Sequence, residues 1–139
     1  MSNQEEQEGL TSNMEDYLET ILNIQKEQRV ARVKDVARQL RVKMPSVTGA
    51  MKGLAEKGLV NYERYSFLTL TEAGEKIARE IGERHKTFYN FLTRVLDLDH
   101  ETAELDACRL EHATSRKTFI RIKDFTDHYQ PPGNKTKPS

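Results

Sequence analysis

One cysteine, Cys108, is all that this 139-residue chain contains, so no intramolecular disulfide framework can hold it together. No apolar run approaches the roughly 20 residues that a membrane-crossing helix needs, and no membrane association is expected. The opening residues, MSNQEEQEG, are acidic and polar, without the basic and apolar regions of a secretory leader. Together these absences predict a cytoplasmic protein. Net charge is lacking as well. Lys and Arg number 22 and Asp and Glu number 22, which argues against a nonspecific nucleic-acid coat. No internal repeat is visible. What remains, 36% hydrophobic and 32% charged, suits a helix-rich chain of one domain or two small ones with a self-sufficient core.

The charges are sorted along the chain even though their sum is zero. Glu5, Glu6, Glu8, Glu15, Asp16 and Glu19 precede the first basic residue, Lys26. Lys26, Arg29, Arg32, Lys34, Arg38, Arg41, Lys43, Lys52 and Lys57 then dominate residues 26–57. Acids return in Asp97, Asp99, Glu101, Glu104, Asp106 and Glu111, opposed only by Arg109. A basic block suits a polyanion, and the flanking acidic blocks suit a cation.

Apolar spacing predicts mostly helices. Ser12 with Glu15 reads as a capping box opening a helix to about Lys26, with Met14, Tyr17, Leu18, Ile21, Leu22 and Ile24 at helical intervals. Val33–Leu40 forms a second, short helix. A tight connection follows, and Pro45 opens a third helix that Gly58 stops after about Lys57. Residues 59–63 and 67–71 read as a hairpin with Arg64, Tyr65 and Ser66 at its tip. Thr71 or Thr69 caps a long helix to about Val95. Two more helices follow, over about 99–113 and 115–129, and the tail QPPGNKTKPS is expected to be disordered. The expected architecture is therefore mainly α: a winged helix-turn-helix over residues 12–72, then a helical domain over 73–129. Residues 1–11 and 130–139 are expected to form a flexible N-terminus and a disordered tail.

Helix, tight turn, Pro-started helix and hairpin is the order that sends one helix into the major groove of double-stranded DNA. On that helix Pro45, Ser46, Thr48, Gly49 and Lys52 lie opposite the Val47, Met51, Leu54 stripe. Small groups there can approach base edges, whereas Lys34, Arg41, Lys43, Lys52 and Arg64 suit phosphates. A polar helix face is as often simply solvated. The hairpin at the right distance favours DNA.

A second constellation suits a metal. Asp16 and Glu19 are three apart on the first helix, so they share a face. Cys108, Glu111 and His112 are spaced i, i+3, i+4, which gathers a thiol, a carboxylate and an imidazole, and His85 lies in the long helix between. Any one of these alone would be an ordinary core or surface residue. Their joint fall in the acidic segments favours a cation.

The stretches MEDYLETI (14–21), ARVKDVARQLRVKMPSVTGAMKGLAEKGLVNYERY (31–65), LTEAGEKIA (70–78), RH (84–85) and ACRLEH (107–112) closely resemble the diphtheria-toxin-repressor and manganese-transport-regulator family. The resemblance covers about residues 12–115. It implies a homodimeric repressor that binds an inverted-repeat operator when Fe(II) or Mn(II) is bound, without the SH3-like third domain of longer members. It implies no enzymatic activity and no small organic substrate. It also implies metal ligands at Asp16, Glu19, His85, Cys108, Glu111 and His112, with Glu104 able to contribute. Asp16 and Glu19 look like the manganese branch and Cys108 like the iron branch. A thiolate favours Fe(II) over Mn(II), and Zn(II), Co(II) or Ni(II) are also compatible. Two positions depart from the pattern. Tyr89 stands where iron-branch members often have an ancillary glutamate, and Glu104 where they have a histidine. In the wing, Ser66-Phe67 replaces the usual Arg-Gly, which leaves open whether the wing contacts DNA or the recognition helix is the main hold on the operator. The alternative from the residues alone is a winged-helix regulator indifferent to metal. A metal-dependent hydrolase is disfavoured because no substrate domain is visible.

Overall fold

The structure is a computed structural model that describes residues 10–63 and 67–132. It is mainly helical, in the order α1 (Ser12–Gln28), α2 (Val33–Leu40), α3 (Met44–Glu56), β1 (Val60–Tyr62), β2 (Leu68–Leu70), α4 (Glu72–Asn90), α5 (His100–Ala113) and α6 (Arg116–Asp127). The chain forms two compact units that divide within α4, after Ile81. Among the described residues no helix is long and apolar enough to cross a membrane.

In the first unit, the caps set the helix ends. Thr11, not Ser12, caps α1: its Oγ1 accepts from Met14 N at 3.2 Å, and Ser12 is already helical. Ser is on average the better cap than Thr, but Thr11 has the extended backbone of a cap and its hydroxyl meets Met14 N. α2 closes on Arg41 at φ 56°, with Val42 N donating to Ala37 O at 3.0 Å, which makes the tight turn into α3. Pro45 falls at the second position of α3 rather than the first, where its missing N–H is equally harmless. Gly58, at φ 76°, ends the connection after α3.

The hairpin is antiparallel and pairs Val60 with Leu70, Asn61 with Thr69 and Tyr62 with Leu68. The tip residues expected at 64–66, Arg64 among them, lie outside the described residues. Two ties fix the hairpin to the helices. Leu70 N donates to Gln25 Oε1 of α1 at 2.8 Å, and Thr71 Oγ1 donates to Gly58 O at 2.7 Å. Thr71 also caps α4, accepting from Gly74 N at 3.1 Å. Gly74 is required by packing, since a Cβ there would stand 2.0 Å from Leu59 O. Leu18, Ile21, Val36, Val47, Met51, Leu54 and Leu68 are fully buried and bind α1, α2, α3 and the hairpin into one core.

The second unit has a smaller core of Phe88, Leu92, Ala103, Ala107 and Phe119. Ala103 and Ala107, four apart, are both fully buried. Such small side chains allow close approach of α5 to its neighbours. Phe88 and Phe119 meet edge to face with centroids 6.0 Å apart. The long helix expected to reach Val95 is regular only to Asn90. Residues Phe91–Val95 continue it as a wider turn, in which Leu96 N donates to Phe91 O at 3.2 Å, before Asp97 reverses the chain at φ 56°. Asp99 and Ser115 cap α5 and α6 through Thr102 N and Thr118 N.

Candidate metal centre and nucleic-acid interface

α5 gathers its three donors by helical spacing alone. One ligand atom from each of Cys108, Glu111 and His112 lies within 4.8 Å of the others. Cys108 is exposed, His112 is half-buried, and Glu111 is 1% exposed. Glu111 Oε1 is buried with no hydrogen-bond donor among the described residues, although His112 Nε2 approaches to 3.3 Å. A buried carboxylate oxygen is costly without a proton donor or a cation. A thiol, a carboxylate and an imidazole aimed at one point, with one buried oxygen lacking a donor, fit a divalent transition metal.

His85, from α4, lies in the same unit and bonds to the cluster through Glu111. Its Nδ1 is 2.7 Å from Glu111 Oε2 and its Nε2 is 2.5 Å from Glu104 Oε1. Carboxylates only accept, so the ring donates from both nitrogens and is the imidazolium. The Glu111 hydrogen bond is the main reason that its pKa is pushed up to about 9 against the opposing effect of burial, and Glu104 adds to it. A proton on His85 thus supplies the positive charge between two carboxylates.

Arg84 carries no signal in the sequence spacing, yet it holds the end of α5 in place. Its guanidinium donates to Glu111 O at 3.3 Å and Thr114 O at 2.9 Å and lies 5.4 Å from the Phe119 ring centre. A cation on the last carbonyls of a helix suits both their hydrogen-bonding need and the helix dipole. Its neighbour His85 was visible in the sequence, but a contact 27 residues away carries no local signal. At the ancillary position, Tyr89 OH instead meets His100 Nδ1 at 2.7 Å.

Asp16 and Glu19 belong to the first unit, on α1, and both are half-buried. In that unit the face of α3 opposite its core stripe is open. Pro45, Ser46, Gly49 and Lys52 are exposed, and Thr48 is half-buried. A Cβ on Gly49 would meet nothing within 4 Å. Lys34, Arg38, Arg41 and Lys43 are exposed around it in sequence.

Residues 9–68 match the family described as "Iron dependent repressor, N-terminal DNA binding domain", and residues 71–136 match "Iron dependent repressor, metal binding and dimerisation domain". This chain belongs to the iron-dependent repressor family. Members of this family are metal-dependent transcriptional repressors rather than enzymes. An HTH-type transcriptional regulator of Methanocaldococcus jannaschii, itself uncharacterised, is 40% identical over 122 residues, 87% of this chain and 98% of that protein. The HTH-type transcriptional regulator MntR of Bacillus subtilis is 35% identical over 120 residues, 86% of this chain and 84% of that protein. A solved manganese-dependent transcriptional repressor in complex with manganese superposes with a TM-score of 0.76 at 29% identity. That match covers 84% of this chain and 54% of the repressor, so the chain spans about half the length of that structure.

Proposed function

We propose that this iron-dependent repressor family member is a metal-activated repressor. As a homodimer it binds an inverted-repeat operator in double-stranded DNA and controls metal-homeostasis genes in the cytoplasm. The observation that carries the reading is the buried Glu111 oxygen without a donor, set beside Cys108 and His112. Cys108, Glu111 and His112 would hold the ion together with Asp16 and Glu19 of α1, while His85 and Glu104 would yield their shared proton or join the ligand set. Fe(II) is the favoured activator because a thiolate is softer than a carboxylate, and Mn(II) is next; Zn(II), Co(II) and Ni(II) suit the same donors. A divalent cation would supply charge that offsets the mutual repulsion of these acids.

The chain's own residues supply the rest. Pro45, Ser46, Thr48 and Gly49 on the open face of α3 would face base edges in the major groove. Lys34, Arg41, Lys43, Lys52 and Arg64 would take phosphates. Exposed Leu96, Leu105, Ile120 and Phe125 in the second unit offer apolar surface for the homodimer. Two recognition helices must then match half-sites about 34 Å apart, so anything that fixes α1 against the dimer sets DNA affinity. By linkage, metal and DNA raise each other's affinity by the same factor.

The test begins by selecting a duplex from a randomised library with the metal-loaded protein. Binding of that duplex is then measured anaerobically with Fe(II), with Mn(II) and with chelator. Metal-stimulated binding that Cys108→Ala and His112→Ala abolish, in proteins that still melt as folded dimers, supports the reading. Equal binding with and without chelator refutes metal activation, and failure to select any duplex refutes DNA binding.

A further inference from the structure

The base of the wing carries a cation–aromatic pair that the roles above leave unused. Ala31, just before α2, pairs with Leu68 of β2: Ala31 N donates to Leu68 O at 3.0 Å and Leu68 N donates to Ala31 O at 2.7 Å. Both side chains are fully buried. Side chains alternate across a strand, so the next residues, Arg32 and Phe67, are cross-strand neighbours on the opposite, solvent-facing side. The Arg32 guanidinium carbon lies 5.1 Å from the centre of the Phe67 ring, and that ring is 48% exposed.

Core packing does not account for a half-exposed phenylalanine at this place. What the ring does is hold a long, flexible cation over its face, which places the guanidinium in advance of any ligand. The neighbouring acids do not cancel that charge. Asp35 is engaged by Arg32 N at 3.2 Å and by Gln28 Nε2 at 2.9 Å, in the turn that starts α2. Continuing the hairpin register makes the exposed Glu63 the β1-side neighbour of Phe67, whereas Ala31 and Arg32 lie along the other edge of β2. Beyond Arg32 the chain enters α2, where exposed Lys34, Arg38 and Arg41 recur at i, i+4 and i+7. Arg32 thus opens a strip of sequence with exposed cations, Lys34, Arg38, Arg41 and Lys43, up to the turn before α3, in which Arg38 also lies 3.9 Å from Asp35. Such a strip is complementary to one partner, a phosphodiester backbone.

We infer that Arg32, steadied by Phe67, is a DNA-positioning residue that grips a phosphate beside the groove read by α3. The wing base then contributes to DNA affinity, the point that Ser66-Phe67 leaves open. This rests on the DNA-binding reading. It is tested with the full-length, Mn(II)-loaded protein and the duplex that the wild type selects from a randomised library, over a series of salt concentrations. Arg32→Ala is expected to weaken binding about tenfold and to lower the salt slope by about one phosphate contact, whereas Arg32→Lys keeps the slope. Phe67→Ala is expected to weaken binding several-fold and to cost little more in the Arg32→Ala background, because the ring acts through the guanidinium. A wild-type slope in Arg32→Ala, or a full Phe67 effect without Arg32, overturns the inference while leaving DNA binding standing. A wild type that selects no duplex overturns both. Melting curves guard against misfolding, and Arg32→Gln serves as a second, bulkier neutral variant should Arg32→Ala melt early; a wild-type slope there overturns the inference equally.

Discussion

His85 and Glu111 hold each other's charge, and two predictions follow from that pair. His85 titrates at about 9 in the folded chain against 6.5 ordinarily. A raised folded pKa means that its contribution to stability is complete below pH 6.5 and is lost as pH rises through about 9. The gap corresponds to stabilisation on the order of 3 kcal/mol at most. Urea melts of the metal-free protein should therefore show a fall in stability between pH 6.5 and 9, and Glu111→Gln should flatten it. A flat wild-type profile would contradict the pairing. The same proton competes with metal for the cluster, as does the thiol proton of Cys108. Metal affinity measured by competition with a chelator of known pH dependence should rise from pH 6 to 9.

α3 allows function and folding to be separated, because its two faces differ so sharply. Gly49 has open space where a Cβ would stand. Gly49→Ala should raise stability by about 0.5–1 kcal/mol through helix propensity, yet weaken duplex binding if this face approaches bases. Gly74→Ala should do the reverse of a benign change. A Cβ 2.0 Å from Leu59 O must push the start of α4 off the hairpin, with a loss of about 3 kcal/mol or more in a denaturant melt. At the start of α1, Thr11→Ala should cost about 1 kcal/mol, and Ser12→Ala much less.

These elements also mark what the sequence could tell. Among the described residues, the order and type of the helices, and the hairpin, were legible because apolar periods of 3.6 and 2 are local. The ends were less so: Thr11 took the cap from Ser12, and the helix expected to reach Val95 widened after Asn90. Both outcomes depend on packing that no short window records. That Cys108, Glu111 and His112 share one face was legible because one helix turn gathers them. The double grip of Glu111 and Glu104 on His85, and the hold of Arg84 on the end of α5, join residues 19 to 30 apart in sequence and were not.

For the molecule as a whole, the proposal makes one ion serve two units. Asp16 and Glu19 would reach it from α1, in the first unit, and Cys108, Glu111 and His112 from α5, in the second. A switch from mostly inactive to mostly active requires about 5.5 kcal/mol of differential binding, which two subunits can share. The direct measurement is fluorescence anisotropy of the selected duplex during an anaerobic metal titration, comparing wild type with the double variant Asp16→Ala, Glu19→Ala. The account predicts that the double variant melts like the wild type without metal but loses metal-stimulated binding by roughly 100-fold or more. A double variant that answers metal as the wild type does would contradict it.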